Sequence, residues 1–199
     1  MSIIRKIFGP SKDEIWSQLA YEYEGRFVDG GWLGDDEVHA ITGEWEIMLD
    51  HFTRKSGKHR KTYTRIRAPF TNADNLYFKI YRQGFFTGIA KYFGMQDIAI
   101  NQEDFDNEFV LKGNDEFKLT WIFGSPSVQR HLFPIGRILL EIKEDDGLFE
   151  NSHYQYSQGI DELYFERQGI MKNLEELREI FNLFAVVLEK ITELDSGYQ

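Results

Sequence analysis

The chain has 199 residues, 42% hydrophobic and 16% aromatic, which is enough apolar material for one packed domain and too much for a disordered chain. It has no cysteine, which excludes disulfides, thiolate metal sites and a cysteine nucleophile, and fits a reducing, cytoplasmic setting. The net charge is −10, yet residues 54–67 hold seven basic side chains and no acidic one, so that window is +7 and the rest of the chain is −17.

At the start, Ile3, Ile4, Ile7 and Phe8 lie beside Arg5 and Lys6 with no cleavable signal pattern, so the segment either packs on the core or rests peripherally on a membrane surface. Ser11 and Glu14 form a capping box, Ile15, Leu19 and Tyr23 recur at helical spacing, and Gly25 is a stop, which together predict a helix over 12–24. Residues 29–31 and 34–36 read as loop.

Residues 45–51 and 62–70 alternate apolar and polar as half-buried strands do. A turn centred on Ser56-Gly57 pairs Ile47 with Ile66, Leu49 with Thr64 and Trp45 with Ala68 on one face. The other face then sets Glu46 against Arg67, Met48 against Arg65 and Asp50 against Tyr63. A third strand follows over 76–82, then a short helix with Phe86, Ile89, Ala90 and Phe93 on one side, stopped by Gly94.

The stretch 97–123 predicts strand, turn, strand, tight turn and helix. Phe105, Phe109 and Leu111 share one extended face, and Asn114 caps a helix whose first turn carries Asp115 and Glu116. Ser125-Pro126 opens a further short helix, closed by Pro134. Strands are expected over 137–143, 154–157 and 162–167, with a turn at 144–147. Leu174, Leu177, Phe181, Phe184, Leu188 and Ile191 then mark a final helix about 30 Å long, started by Asn173 with Glu176. Its wide apolar face suits a helix laid across a sheet, and a homodimer through that helix is the alternative. The longest apolar run, 183–188, falls far short of the roughly 18 residues that cross a bilayer.

Leu76-Tyr77-Phe78 and Leu163-Tyr164-Phe165 open similar stretches that both end in Gln-Gly and precede a helix. This is either coincidence or two related strand-strand-strand-helix units, at about 11–94 and 114–194. The expected fold is one α+β domain, an antiparallel sheet covered by the N- and C-terminal helices.

No phosphate loop, zinc-protease motif, nucleophile elbow or dinucleotide fingerprint is present, and no cofactor is implied. The five histidines, His39, His51, His59, His131 and His153, lack metal-ligand spacing. Asp104, Asp106 and Glu108 alternate along the expected strand, so all three can face a hard cation or run carboxylate hydrolase chemistry; the bland reading is a solvent face.

The basic residues Arg54, Lys55, Lys58, Arg60, Lys61, Arg65 and Arg67 suit an acidic protein or an anionic membrane surface. The acidic remainder opposes nucleic acid. The bland reading is a solvated hairpin tip with Arg65 and Arg67 used against Glu46 and Asp50.

Around Phe105, Phe109, Leu111 and the turn from Lys112 to Asp115, followed by a helix and the strand 137–143, the chain resembles an uncharacterised bacterial domain family with an F-x-x-x-F-x-V/I motif. The likeness covers about residues 95–190, and it departs from the family in having no membrane span. It implies a bacterial α+β domain and carries over no catalytic residue. The sequence therefore favours a non-enzymatic interaction module using the basic hairpin, with a carboxylate- or metal-dependent enzyme at 103–108 as the alternative.

Overall fold

A computed structural model describes residues 9–31, 35–84, 95–143 and 159–196. The short helix at 86–94, the turn at 144–147, the strand at 154–157 and the apolar patch at 3–8 lie outside the described residues, as do parts of both repeat units.

Helix α1 spans Lys12–Glu22 and has the expected capping box, with the Glu14 amide donating to Ser11 Oγ at 3.2 Å and the Ser11 amide donating to Glu14 at 3.0 Å. Strands β1 (Arg26–Val28), β2 (Glu37–Thr42), β3 (Trp45–Ser56), β4 (His59–Thr71), β5 (Phe78–Arg82) and β6 (Gln96–Ile98) follow. Helix α2 (Glu103–Glu108), strand β7 (Phe109–Gly113) and helices α3 (Glu116–Phe123) and α4 (Pro126–Leu132) come next. Strands β8 (Leu139–Lys143) and β9 (Ile160–Gln168) and helix α5 (Leu174–Ser196) complete the order. All nine strands pair antiparallel in one sheet, ordered β1-β2-β3-β4-β9-β8-β5-β7-β6. This is the α+β class expected, and both edge strands are only three residues long, which limits pairing with other chains.

One face of the sheet carries Val38, Ala40, Ile47, Leu49, Ile66, Ala68, Phe78, Ile80, Leu140, Ile142, Leu163 and Phe165, all buried. Helices α1 and α5 lie against this side at β2, and α3 and α4 pack on α5. The stripe on α5 (Leu177, Ile180, Phe181, Phe184, Val187, Leu188) is buried within the chain, so its width matches a helix resting on its own sheet. Edge-on and tilted ring contacts link Phe78, Phe123, Phe105, Phe109 and Phe133 at 5.0–6.3 Å, fixing α2 and α3 to the sheet.

Three local expectations change. The hairpin of β3 and β4 forms, but Leu49 faces Ile66, Asp50 faces Arg65 and Met48 faces Arg67. The register is two residues away from the expected one, so each side chain keeps its face and only its partner changes. The turn is Gly57-Lys58, and Gly57, at φ 59°, takes the first central position, where a type II′ turn requires glycine.

The second change is at residues 103–108, which are helical and not a strand. Phe105 and Phe109 are four apart and satisfy either period, and the 3.6-residue one prevails. The third is the cap of α3. Asp115 accepts from the Lys118 amide at 3.0 Å, while Asn114 ties the turn to the segment entering β5 by accepting from the Tyr77 amide and donating to the Asn75 carbonyl.

The first L-Y-F stretch leads into β5 and the second lies in β9, and these strands flank β8; Ile80 and Phe165 face Leu140 from its two sides. Strands of the two halves therefore interleave in one sheet.

Candidate functional site

β9 pairs with β4 only from Thr64 onward, and β2 pairs with β3 only as far as Leu49. The Gly169 amide donates to the Thr62 carbonyl at 2.8 Å, and from Arg54 to Lys61 the backbones of the two strands bond only to each other, forming a finger that stands beyond the sheet. Three residues a side at about 3.3 Å each place its tip about 10 Å out. Cross-strand partners there are Arg54 with Lys61, Lys55 with Arg60 and Ser56 with His59. Lys55, Lys58, His59, Arg60 and Lys61 are all exposed. Arg54 and Lys61 lie on one face, Lys55 and Arg60 on the other, and Lys58 in the turn.

The seven predicted cations divide into two groups. Arg54 grips Glu166 through both terminal nitrogens, at 3.3 and 3.0 Å. Arg65 holds Asp50 through Nε and Nη2, at 2.8 and 2.6 Å, and Arg67 donates to the same carboxylate at 2.9 Å. Arg67 is 3% exposed and so is structural, which corrects its placement in a solvated tip. Glu46 is not its partner either, since that carboxylate meets His39 at 2.8 Å. Lys55, Lys58, Arg60 and Lys61 have no ion-pair partner among the described residues.

Below the finger, the sheet face opposite the helices is also buried at its centre and holds an ionic lattice. Arg67 Nη1 lies 3.6 Å from Glu162, Lys79 lies 2.8 Å from Glu141, and Lys143 lies 3.5 Å from the other oxygen of Glu141. Lys143 Nζ sits 3.2 Å over the Tyr164 ring, and the Tyr164 hydroxyl donates to Glu166 at 2.9 Å. Burial pushes the Lys143 pKa down against the opposing pull of Glu141 and Glu166. Burial likewise pushes the Tyr164 pKa up, reinforced by Glu166. These members lie on four strands, β4, β5, β8 and β9, and local patterning does not mark their burial.

Burial also pushes the Glu166 carboxyl up, but hydrogen bonds from Arg54 and Tyr164 and the charges of Arg54 and Lys143 outweigh it, and the pKa ends below the ordinary glutamate range. The resulting stabilisation is fully present above the unfolded pKa of about 4.3 and is lost as pH falls through the lower folded value. Arg54→Met removes the main lowering cause. The urea midpoint of this variant should therefore lie below wild type at pH 7 and approach it only well below pH 4, once Glu166 is protonated in the wild type; a gap independent of pH would show that the ionised pair is not its cause.

Where β9 ends at Gln168 and the chain turns at Gly169 (φ 97°), the finger continues alone, leaving a notch between it and the segment entering β8. The notch holds about 290 Å³ and is lined by Arg54, Tyr63, Arg137, Glu166, Arg167 and Gln168, with Ile138 and Leu139 as its apolar part. Arg167 pairs with Glu176 on α5. Tyr63 stacks on Phe52 at 5.5 Å and 20°, with the Arg54 guanidinium 4.8 Å above the Tyr63 ring. Arg137 and Arg167 are additions that the sequence did not offer.

The acidic segment has a different role from the one expected. Asp106 accepts from the Ile100 and Gln102 amides at 3.0 and 3.1 Å, closing the turn into α2, and Glu108 pairs with Arg82. In a helix Asp104 and Glu108 share a side while Asp106 turns away from them, so the three no longer form the common strand face that motivated a cation site. Among the described residues no three His, Asp or Glu side chains are grouped to hold a metal. A larger hollow of about 460 Å³ beside α3 and α5, lined by Phe117, Trp121 and Lys190, is apolar and offers a single charge.

Comparison with protein families, with curated proteins and with solved structures finds no match. No helix among the described residues is long and apolar enough to cross a membrane.

Proposed function

We propose that the protein is a non-enzymatic binding module of the cytoplasm whose β3–β4 finger engages an acidic segment of another protein. The observation that carries this reading is the opposition of like charges, Lys55 to Arg60 and Arg54 to Lys61, in a chain of net charge −10. Like charges directly opposite one another destabilise a strand pair. Among the described residues only Arg54 of these four has a carboxylate within reach. A bound polyanion relieves the repulsion that the free protein carries.

Two further features support an acidic protein segment. The cations occupy both faces of the finger, so a chain or groove reaches them all, whereas a flat bilayer meets one face. The tip also stands about 10 Å from the sheet, beyond the Debye length of about 8 Å at physiological salt, so the acidic body is partly screened from a partner at the tip.

The test is a double variant, Lys55→Glu with Lys61→Glu, which turns both like-charge pairs into opposite ones. Arg65 and Arg67 are left intact because they hold Asp50. The variant should unfold at higher urea, by roughly 0.5–2 kcal/mol for the two pairs. It should also lose binding to poly-L-glutamate at low ionic strength, binding that the wild type shows and salt weakens. Wild-type binding to phosphatidylserine vesicles or duplex DNA in place of polyglutamate would transfer the finger to those partners. A less stable variant that still bound polyglutamate would defeat the proposal.

A further inference from the structure

The two edges of the finger are unequal, and one of them is an open template for another strand. We propose that the acidic segment binds as an added antiparallel strand along the β3 edge, at Thr53 and Lys55, and that acidic residues alternate with apolar ones in it. This rests on the finger being the binding element and adds the edge it uses and the sequence that fits.

Backbone hydrogen bonds leave an antiparallel strand on alternate sides, so the pairing of β3 fixes which of its residues are open. The two-residue turn at Gly43-Glu44 makes Thr42 and Trp45 a bonded pair, and Ile47 and Leu49 then also bond to β2. The turn at Gly57-Lys58 makes Ser56 and His59 a bonded pair, and Arg54, Phe52 and Asp50 then bond to β4. Both turns agree that odd-numbered residues of β3 face the lane of β2. The bond from the Gly169 amide to the Thr62 carbonyl, at 2.8 Å, fits this, since Thr62 lies opposite Thr53 and also turns outward.

The pairing of β2 with β3 stops at Leu49, and the segment entering β2 still borders His51, with Asp35 3.8 Å from its ring. Beyond it, the N–H and C=O groups of Thr53 and Lys55 point outward with no backbone partner among the described residues. On the opposite edge Gly169 already takes the Thr62 carbonyl, which leaves Arg60 alone. The β3 edge is therefore the longer template, and strand addition is a common way of holding an extended segment.

An added strand meets different chemistry on its two faces. On the helix side it lies next to Thr53 and Lys55, with Thr62 and Arg60 one strand further on. Lys55 and Arg60 have no ion-pair partner among the described residues, so acidic side chains suit this face. On the other side it lies next to Phe52 and Arg54, with Tyr63 beyond. Phe52 and Tyr63 stack at 5.5 Å, the Arg54 guanidinium lies 5.4 and 4.8 Å from the two rings, and Glu166 already holds its terminal nitrogens. Apolar side chains suit that face, and the period of two along a strand turns the contrast into alternation. A second copy's finger would bring like charges to the same edge, so the edge resists self-pairing while it accepts an acidic strand.

The test titrates the full chain with a Glu-Val repeat peptide in three forms: unmodified, N-methylated on every Glu, and N-methylated on every Val. Glutamates opposite Thr53 and Lys55 direct their N–H groups at β3, and the valines direct theirs at solvent. Methylation on Val should leave the Kd within about twofold, and methylation on Glu should raise it about tenfold, the loss of two backbone hydrogen bonds. Hydrogen exchange at the Thr53 and Lys55 amides should slow when the unmodified peptide binds. Thr53→Pro is tolerated where a strand's N–H faces solvent, and it should raise the Kd roughly fivefold through one lost donor.

The peptide comparison decides the matter without any variant of the protein. Equal binding of all three forms would overturn the added strand and leave the finger as a binder of acidic charge. Loss of binding on Val methylation alone would overturn the antiparallel pairing. Failure to bind either the unmodified peptide or polyglutamate would overturn the finger reading as well.

Discussion

Replacing Asp50 with alanine is expected to lower the unfolding free energy by about 3–5 kcal/mol, a third or more of the stability of a typical domain. Asp50 is 3% exposed and accepts three charged hydrogen bonds, two from Arg65 and one from Arg67. Alanine leaves two guanidiniums two residues apart on the same face of β4, with Arg67 97% buried and its Nε and Nη1 already without hydrogen-bond partners. Glu162, 3.6 Å from Arg67, compensates only in part. With an m-value of about 2 kcal/mol/M the urea midpoint should fall by about 2 M.

Two companion variants locate the cause. Asp50→Asn keeps the shape and part of the hydrogen bonding, so it should lie between wild type and alanine. Asp50→Leu combined with Arg65→Met removes the bidentate pair and leaves Arg67 beside Glu162, so it should recover part of the loss, because a buried ion pair adds little beyond what a hydrophobic pair of similar size supplies. A midpoint shift below about 0.5 M for Asp50→Ala would mean that water reaches the lattice and the burial is not effective.

That lattice shows where sequence reading stops. The charges of Arg65, Arg67, Glu162, Glu141 and Lys79 alternate with apolar residues, and such alternation ordinarily marks a solvated face. Nothing local distinguishes it from a buried ionic layer. The sequence offered Asp50 as a partner for Arg65 and Arg67, but their direct opposition on neighbouring strands follows only from the register, and a two-residue shift leaves every side chain on its face. Turn chemistry was the missing constraint, because Gly57 belongs at the first central position of the two-residue loop and not at the second.

The stretch 103–108 failed for another reason. Phe105 and Phe109 satisfy both periods, and Asp106 closing the turn onto the Ile100 and Gln102 amides depends on where β6 ends. Where signals were redundant, as in the capping box of α1 and the long stripe of α5, the expectation and the structure agree. The notch could not be read at all, since it exists only because β9 ends before β3 and β4 do.

The finger must be held at its stem for its charges to be presented, and Trp16 is the side chain placed to do that. Trp16 is fully buried on α1, its ring lies 6.0 Å from His51 on β3, and its Nε1 donates to the Met171 carbonyl at 3.1 Å. Met171 follows β9, and its amide donates to the Thr64 hydroxyl at 2.9 Å, which itself donates to the Gly169 carbonyl at 2.7 Å. One indole thus joins α1, the finger's stem and the crossing into α5.

Trp16→Ala is expected to cost about 3–5 kcal/mol through the cavity it opens. Trp16→Phe retains most of the packing and loses the hydrogen bond, leaving a buried carbonyl unpaired, and should cost about 1–3 kcal/mol. Urea unfolding of both variants separates the two contributions, and equal losses would place the stabilisation in the hydrogen bond alone. If Trp16 anchors the stem, polyglutamate binding by the folded Trp16→Phe protein stays close to wild type, because the cations are untouched. Binding lost at full folding would instead show that the stem's angle, and not the tip's charge, sets recognition.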